Sequence, residues 1–560
     1  MFWCFKKNFS ALFIFLFSGC LFGKLIDGDT LVLHPITWET RSPEGWNAQY
    51  KKIIQFPEPD GPWAKIIMVQ TLKCDSTTKG DNYPCGEWDY IWNIFVNVPK
   101  GDTVEVFSMG SFVTPYGKRL WLGGKAGWEW TYDITDYGPI LKGEREIIVG
   151  NNQELLDLKF LFIKGAPTRN ILRVENIYPY GHHKYGDLAD DIVLQETKLQ
   201  LLPEARGYKL KAVVSGHGHA GPRNCCEWDS KTHTFYMNGW ELFRWNVWKD
   251  CGNNPIYPQG GTWPFDRAGW CPGTKVDEYE YELTPFVKPG DTISIDYEIE
   301  PYLDNGEKEG EFRISHQLFS YGSPNFMNDA EIIDIIVPSS KSAFSRFNPT
   351  LSNPKIIIKN AGAYDLKQVE IHYGLKYRRK SVYHWYGHLK FLEEEKVFLP
   401  IPNWNGLRRT QTFEVEIKKT NGVKDENPLN NILTSMVPLP EIFPEEFILK
   451  IKTNNRDRSR ENSFTISGNN GTVFYSGGFF KDSTEYNFPV KLKRGFYEFL
   501  FKDNMEDGIS VHWWNRNSAP EKIGISGELK FVKRDGEILH KFKPDFGQEL
   551  KFGFIVGSIP

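Results

Sequence analysis

Short alternating runs of apolar and polar residues recur along the chain. Thr103-Val104-Glu105-Val106-Phe107 and Thr292-Ile293-Ser294-Ile295-Asp296-Tyr297 place every second side chain on one face, the period of a half-buried strand. Gly, Pro, Asn and Asp break these runs every ~8–12 residues, the rhythm of β-sandwiches and jelly rolls. Few stretches keep a helical period. The pattern predicts an all-β protein.

The units follow from punctuation and composition. Residues 26–168 and 169–340 read as two Trp-rich β-units. Pro338-Ser339-Ser340-Lys341-Ser342 reads as a linker, beyond which there is no Cys and only four Trp. Residues 347–437 read as a small immunoglobulin-like sandwich, similar to adhesion-type modules appended to bacterial surface enzymes. Residues 441–560 read as a further sandwich. Its segment FYEFLFKDNMEDGISV resembles a terminal module of secreted bacterial hydrolases. The turn through Asp503, Glu506 and Asp507 is either solvated or a Ca²⁺ holder.

Residues 1–25 read as an export signal. Lys6 and Lys7 precede the apolar run Phe9 to Phe17, and Ser18-Gly19-Cys20 follows. The run is too short to span a bilayer. Small residues before Cys20 resemble a lipoprotein cleavage site, although Phe17 departs from it, so lipid anchoring and plain secretion both stay open. The expected location is outside the cytoplasm: secreted, periplasmic or held at the surface by an N-terminal lipid. Six cysteines remain beyond the signal: Cys74, Cys85, Cys225, Cys226, Cys251 and Cys271. In an exported chain they read as disulfides. A bridge between the adjacent Cys225 and Cys226 is disfavoured by geometry, which leaves them free or paired elsewhere. No C-x-x-C pair argues for zinc.

The charge balance, 67 Lys and Arg against 71 Asp and Glu, is −4 and gives no basic field for nucleic acid. The aromatic share is 15%, and fourteen of 19 Trp fall between residues 38 and 270. Aromatic rings fill sandwich cores or, when exposed, offer platforms for sugar rings. Two acidic-aromatic motifs lie in this region, Cys85-Gly86-Glu87-Trp88-Asp89-Tyr90 and Cys225-Cys226-Glu227-Trp228-Asp229. Carboxylates held beside cysteines from two units suit general acid/base hydrolysis, because proximity and burial separate their pKa values. Equally, each acid caps a turn or pairs with a Lys. Arg267, in Asp266-Arg267-Ala268-Gly269-Trp270-Cys271, offers a forked donor for a polar substrate or a partner for Asp266. His217 and His219, at i and i+2, with His233 downstream, are candidates for copper or zinc or ordinary cleft and core histidines. H-E-x-x-H, G-x-S-x-G, P-loop and Rossmann fingerprints are absent.

Together these motifs resemble the peptide:N-glycosidase F family, bacterial amidases that release N-linked glycans from asparagine. The resemblance covers roughly residues 50–335 and rests on Cys85–Asp89, Gly216–Ala220, Cys225–Trp228, Thr232–Thr234 and Asp266–Gly273. It implies two jelly rolls side by side with the active site between them, followed here by the two smaller modules. It also implies Asp89 as the catalytic aspartate, faced by Glu227. Arg267, Trp88, Trp270 and His219 are implied on the substrate side, and Cys74–Cys85 and Cys251–Cys271 as disulfides. The implied partners are N-glycosylated proteins or peptides, acted on by a monomer with no metal or cofactor.

The chain departs from the family pattern. Asp229 stands in place of a cysteine, which orphans Cys225. His217 replaces a substrate-side Trp, and Tyr90 replaces an Arg. The third acidic residue falls near Asn152, with Glu154 as its substitute. Two readings of other classes are a non-catalytic surface glycan-binding or adhesion protein and a copper monooxygenase-like enzyme on the same two-domain architecture. The C-terminal modules are expected to be dispensable for chemistry.

Overall fold

The computed structural model describes the chain except residues 1–12, 15–24, 42, 44–47, 59–60, 76–84, 119, 121, 123–125, 151–153, 220–222, 224, 303–309, 348–350, 352, 405–406, 408, 512–522 and 558–560. Of the expected export signal only Phe13, Ile14 and Leu25 lie within the described residues. Among the described residues, no helix is long and apolar enough to cross a membrane.

The protein is all-β. In the first unit the strands Thr30–Ile36, Glu154–Lys164, Trp63–Cys74 and Trp128–Asp133 lie in that order in one sheet. Gln49–Phe56, Gly143–Gly150, Ile91–Lys100 and Thr103–Val113 form the other. Numbered along the chain from Thr30–Ile36, these orders are 1-8-3-6 and 2-7-4-5, the strand arrangement of a jelly roll. The second unit repeats it. Arg169–Lys184, Glu311–Pro324, Gly207–His217 and Glu278–Glu282 face Thr197–Gln200, Thr292–Ile299, Lys231–Met237 and Trp240–Val247. Alternation explains the cores. Gln49–Phe56 exposes Ile53 but buries Tyr50, Ile54 and Phe56, and these pack with Phe160, Phe162 and Trp92 between the sheets.

The two jelly rolls are joined edge to edge near the end of Thr103–Val113. Val276 N donates to Ser111 O at 3.0 Å, Val113 N to Thr274 O at 3.1 Å, and Gly273 N to Val113 O at 2.8 Å. Val113, Val213, Trp270 and Val276 form a small apolar cluster across this seam. Deeper in, Tyr137 Oη donates to Gln317 Oε1 at 2.5 Å. Asp136 of the first unit takes ion pairs from Arg169 at 2.9 Å and Lys209 at 2.7 Å, which hold its carboxyl well below the usual range despite burial.

Two further pairs of sheets follow, each with its own core. The boundary expected at residue 340 is corrected. Ala330–Val337 pairs antiparallel with Lys355–Asn360, and Ala330, Ile332 and Ile335 enter the third core. The expected linker is also no free tether. Ser342–Phe347 forms a 3₁₀ turn in which Ser342 Oγ accepts Glu129 N at 3.1 Å. Arg346, 4% exposed, donates to Asn254 O at 2.8 Å, Glu549 O at 2.7 Å and Phe546 O. The last sandwich is thereby tied to the second jelly roll. Trp263 Nε1 donates to Asp545 Oδ1 at 3.0 Å, and Gln548 N to Gly252 O at 2.8 Å. The modules pack on the jelly-roll pair, contrary to the expectation that a linker separates them.

Candidate active site

Asp89 sits in the loop between the end of Trp63–Cys74 and the start of Ile91–Lys100. Cys74–Cys85 closes that loop. Thr114 pins its far side: its Oγ1 accepts Tyr90 N at 2.8 Å and donates to Trp88 O at 3.2 Å, while Thr114 N donates to Tyr90 O at 2.9 Å. Gly117 lets the next segment lie against the loop, since a Cβ there would overlap Gly86 O. Thr114 follows Val113, so the seam that joins the jelly rolls also sets the height of Asp89.

Glu227 comes from the second jelly roll, where three motifs are knitted together by backbone bonds. Glu227 N donates to Gly218 O at 2.8 Å, Ala268 N to Glu227 O at 3.0 Å, and Gly216 N to Ala268 O at 3.0 Å. A Cβ on Gly216 would strike Cys226 O and Ala268, the physical reason for glycine in that stretch. Cys251–Cys271 closes the loop that carries Arg267. Cys225 is not orphaned: it is bonded to Cys226, a correction to the sequence reading. Asp229 joins Lys231 and accepts Arg223 Nε at 3.1 Å.

Arg267 is 0% exposed. Its Nε donates to Glu227 Oε1 at 3.1 Å, Nη1 to Phe265 O at 2.6 Å and Nη2 to Thr262 Oγ1 at 2.8 Å. The guanidinium lies 4.2 Å from the Trp228 ring centroid and 4.9 Å from that of Trp270, an arrangement that suits its delocalised charge. The expected substrate clamp is therefore corrected: this Arg is a buried brace for Glu227. It pairs with Glu227 and not with Asp266, whose Oδ1 accepts Cys251 N at 2.9 Å. Trp270 is likewise no cleft wall. It is 1% exposed, gives Nε1 to Gly216 O at 2.8 Å and stacks on His217 at 5.2 Å.

The electrostatic neighbours of Asp89 are Arg267, Glu227 and Tyr116, whose hydroxyl donates to its carboxylate. Part of the residue stays exposed, but its carboxyl is desolvated. Burial, opposed by Arg267 and assisted by Glu227, pushes Asp89 up to about 7. Burial also raises Glu227 against the pull of Arg267. Glu227 keeps 14% of its side chain exposed, and Trp88, beside Asp89, keeps 45%. The arrangement unites a carboxyl poised near neutrality, a second carboxylate with a fixed counter-charge, and an exposed indole.

The remaining expected residues divide. His217 bonds Ser215 Oγ at 2.8 Å, and burial with the Arg267 charge pushes it down to about 3, so it is neutral. His219 is exposed. His233 is in the core, its Nδ1 2.5 Å from Tyr297 Oη, so the three histidines do not converge as a metal set. Glu154 is 0% exposed and in register with Cys74, which corrects its placement on the substrate side. Asp250, Asp266 and Glu506 bring carboxylate oxygens within 4.8 Å of one another. Tyr116, Thr262 and Trp228 were missed as functional residues. Of these, Trp228 stands inside the motif Cys225–Asp229, while Tyr116 and Thr262 carry no local signal. Tyr116 N donates to Gln259 Oε1 at 2.9 Å, across 143 positions.

A family model described as "Peptide-N-glycosidase F, C terminal" matches residues 184–319. A solved structure of PNGase F, a glycosylasparaginase from Flavobacterium meningosepticum, aligns at 26% identity over 52% of this chain and 96% of its own, with a TM-score of 0.46. Peptide-N(4)-(N-acetyl-beta-D-glucosaminyl)asparagine amidase F of Elizabethkingia miricola is 30% identical over 267 residues, 43% of this chain and 71% of that protein. With that much of the relative matched, the chain belongs to the peptide-N-glycosidase F family.

Proposed function

We propose that this protein hydrolyses the amide bond between the first N-acetylglucosamine of an N-linked glycan and the asparagine side chain of glycoproteins or glycopeptides. The observation that carries the reading is Asp89, held near neutrality opposite the Glu227–Arg267 pair. Its relatedness to an asparagine amidase supports the choice of bond.

The roles follow from access. At pH 7 a carboxyl with a pKa of about 7 exists in both forms, which suits a group that removes a proton from water and returns one to the leaving nitrogen. Tyr116 fixes its orientation. Glu227 positions the water or a sugar hydroxyl, and Arg267 acts through Glu227, having no exposed surface of its own. Trp88 offers an apolar ring face to the sugar. The water oxygen enters the new carboxyl, and the nitrogen leaves with the sugar as a glycosylamine.

The test is mass spectrometry of a defined glycopeptide incubated with the full-length protein in heavy-oxygen water. The reading expects free intact glycan and a peptide whose Asn has become Asp carrying one heavy oxygen. Recovery of unchanged glycopeptide, or cleavage within the glycan that leaves a sugar on Asn, would contradict it.

A further inference from the structure

The last sandwich carries a group of acids outside the candidate active site. Glu461, Asp503 and Asp507 each offer a carboxylate oxygen, and these lie within 4.8 Å of one another. Asp503 is 0% exposed. One of its oxygens accepts Met505 N at 2.9 Å. Among the described residues no donor reaches its other oxygen, nor Glu461 Oε1, nor the buried Oδ1 of Asn462. Asn462 stands directly opposite Asp503 in the ladder between Asn462–Gly468 and Gly495–Asp503. Three buried acceptors without donors in one corner are costly unless a positive charge answers them.

Arg458 supplies one such charge. It pairs with Asp507 through Nη2 and donates to Gly508 O at 3.1 Å and Ser510 O at 3.0 Å, while its Nε reaches none of the three open acceptors. Asp457 and Asp482 add further negative charge near Glu461.

We propose that Glu461, Asp503 and Asp507, with Asn462, bind one Ca²⁺ ion. The donors are all oxygen, which selects a hard cation. Three carboxylates and an amide oxygen from the chain itself suit Ca²⁺, whereas Mg²⁺ dehydrates reluctantly and is usually held by one or two carboxylates. Glu506 does not join, contrary to the sequence expectation of Asp503, Glu506 and Asp507. It turns the other way, its Oε1 accepting Gln548 Nε2 at 2.6 Å, and it lies against Gly252 in the loop of Arg267. The ion therefore fixes one end of a turn whose other end rests on that loop.

The experiment is calorimetric titration of CaCl₂ into the chelator-treated full-length protein, with thermal melts in Ca²⁺ and in Mg²⁺. The expected result is one site with a Kd on the order of 10⁻⁴ M, as in extracellular modules, and a Tm raised by Ca²⁺ more than by Mg²⁺. Asp503→Asn and Glu461→Gln should each raise the Kd at least ~10-fold through loss of ligand charge. Glu461→Gln lies at the partly exposed edge and serves where Asp503→Asn fails to fold. Asp250→Asn, in the other acidic group, should leave the Kd unchanged. No binding at millimolar Ca²⁺, equal response to Mg²⁺, wild-type affinity in the folded variants, or loss of binding in Asp250→Asn would each overturn the site. None of these readouts depends on amidase activity.

Discussion

Arg267 gives its Nε to Glu227 at 3.1 Å from a guanidinium with no exposed surface. A charge so enclosed is stable only because carboxylate, carbonyl, hydroxyl and two indole faces surround it. Glu227 is the member of the pair that reaches the cleft.

Arg267→Met keeps much of the length and the packing but removes the charge. It leaves Glu227, Phe265 O and Thr262 without their donor. Breaking a pair this buried should cost about 3 kcal/mol, read by urea denaturation, and glycopeptide turnover should fall with it. Unchanged stability would mean that the pair does not hold the site together.

The pH dependence of stability carries the signature of Asp89. Its folded-state value, about 7, lies above the usual 3.8. Between roughly pH 4 and 7 the folded protein holds a proton there that the unfolded chain has released. That contribution is fully present below the unfolded value and is lost as pH rises through the folded one. Asp89→Asn should therefore melt higher than wild type above pH 7 and together with it near pH 3. Some decline should persist in the variant, because Glu227 is raised as well. Melting curves that stay parallel at every pH would contradict the placement of a buried carboxyl at position 89.

The C-terminal half should not be removable. Ending the chain near Val337 strips Ala330–Val337 of its partner Lys355–Asn360 and removes Arg346 and Gln548 from the loop that holds Arg267. We expect that truncation to be insoluble or to melt well below the full chain. Arg346→Ala is the finer probe. It leaves the carbonyls of Asn254, Phe546 and Glu549 without this donor, at about 3 kcal/mol or more in total. A soluble truncation with full turnover would show that the packing has no bearing on the site.

What the sequence made legible was local. Alternation in Gln49–Phe56 and Thr292–Ile299 marked strands because one face of each meets a core. Asp89 and Glu227 were legible because each stands within four residues of a cysteine and beside a Trp in a short motif. Burial was not legible. Arg267 and Trp270 read as cleft residues, yet the segments of Gly216 and Glu227 fold over them. Tyr116 was invisible because its partners come from other loops. The Ser-rich segment at 338–342 looked like a tether because the partners that hold it, Glu129 and Ser435, are remote in sequence.

The most direct test of the account is glycopeptide turnover by folded Asp89→Asn at neutral pH. Asn keeps the shape and the bond to Tyr116 but can neither take nor return a proton. If Asp89 handles the proton, the rate should fall at least ~10²-fold, the low end for a positioned general base, with circular dichroism and Tm showing an intact fold. Turnover close to wild type in that folded variant would contradict the assignment of Asp89, and with it the reading of the cleft between the two jelly rolls as the place where the amide is cut.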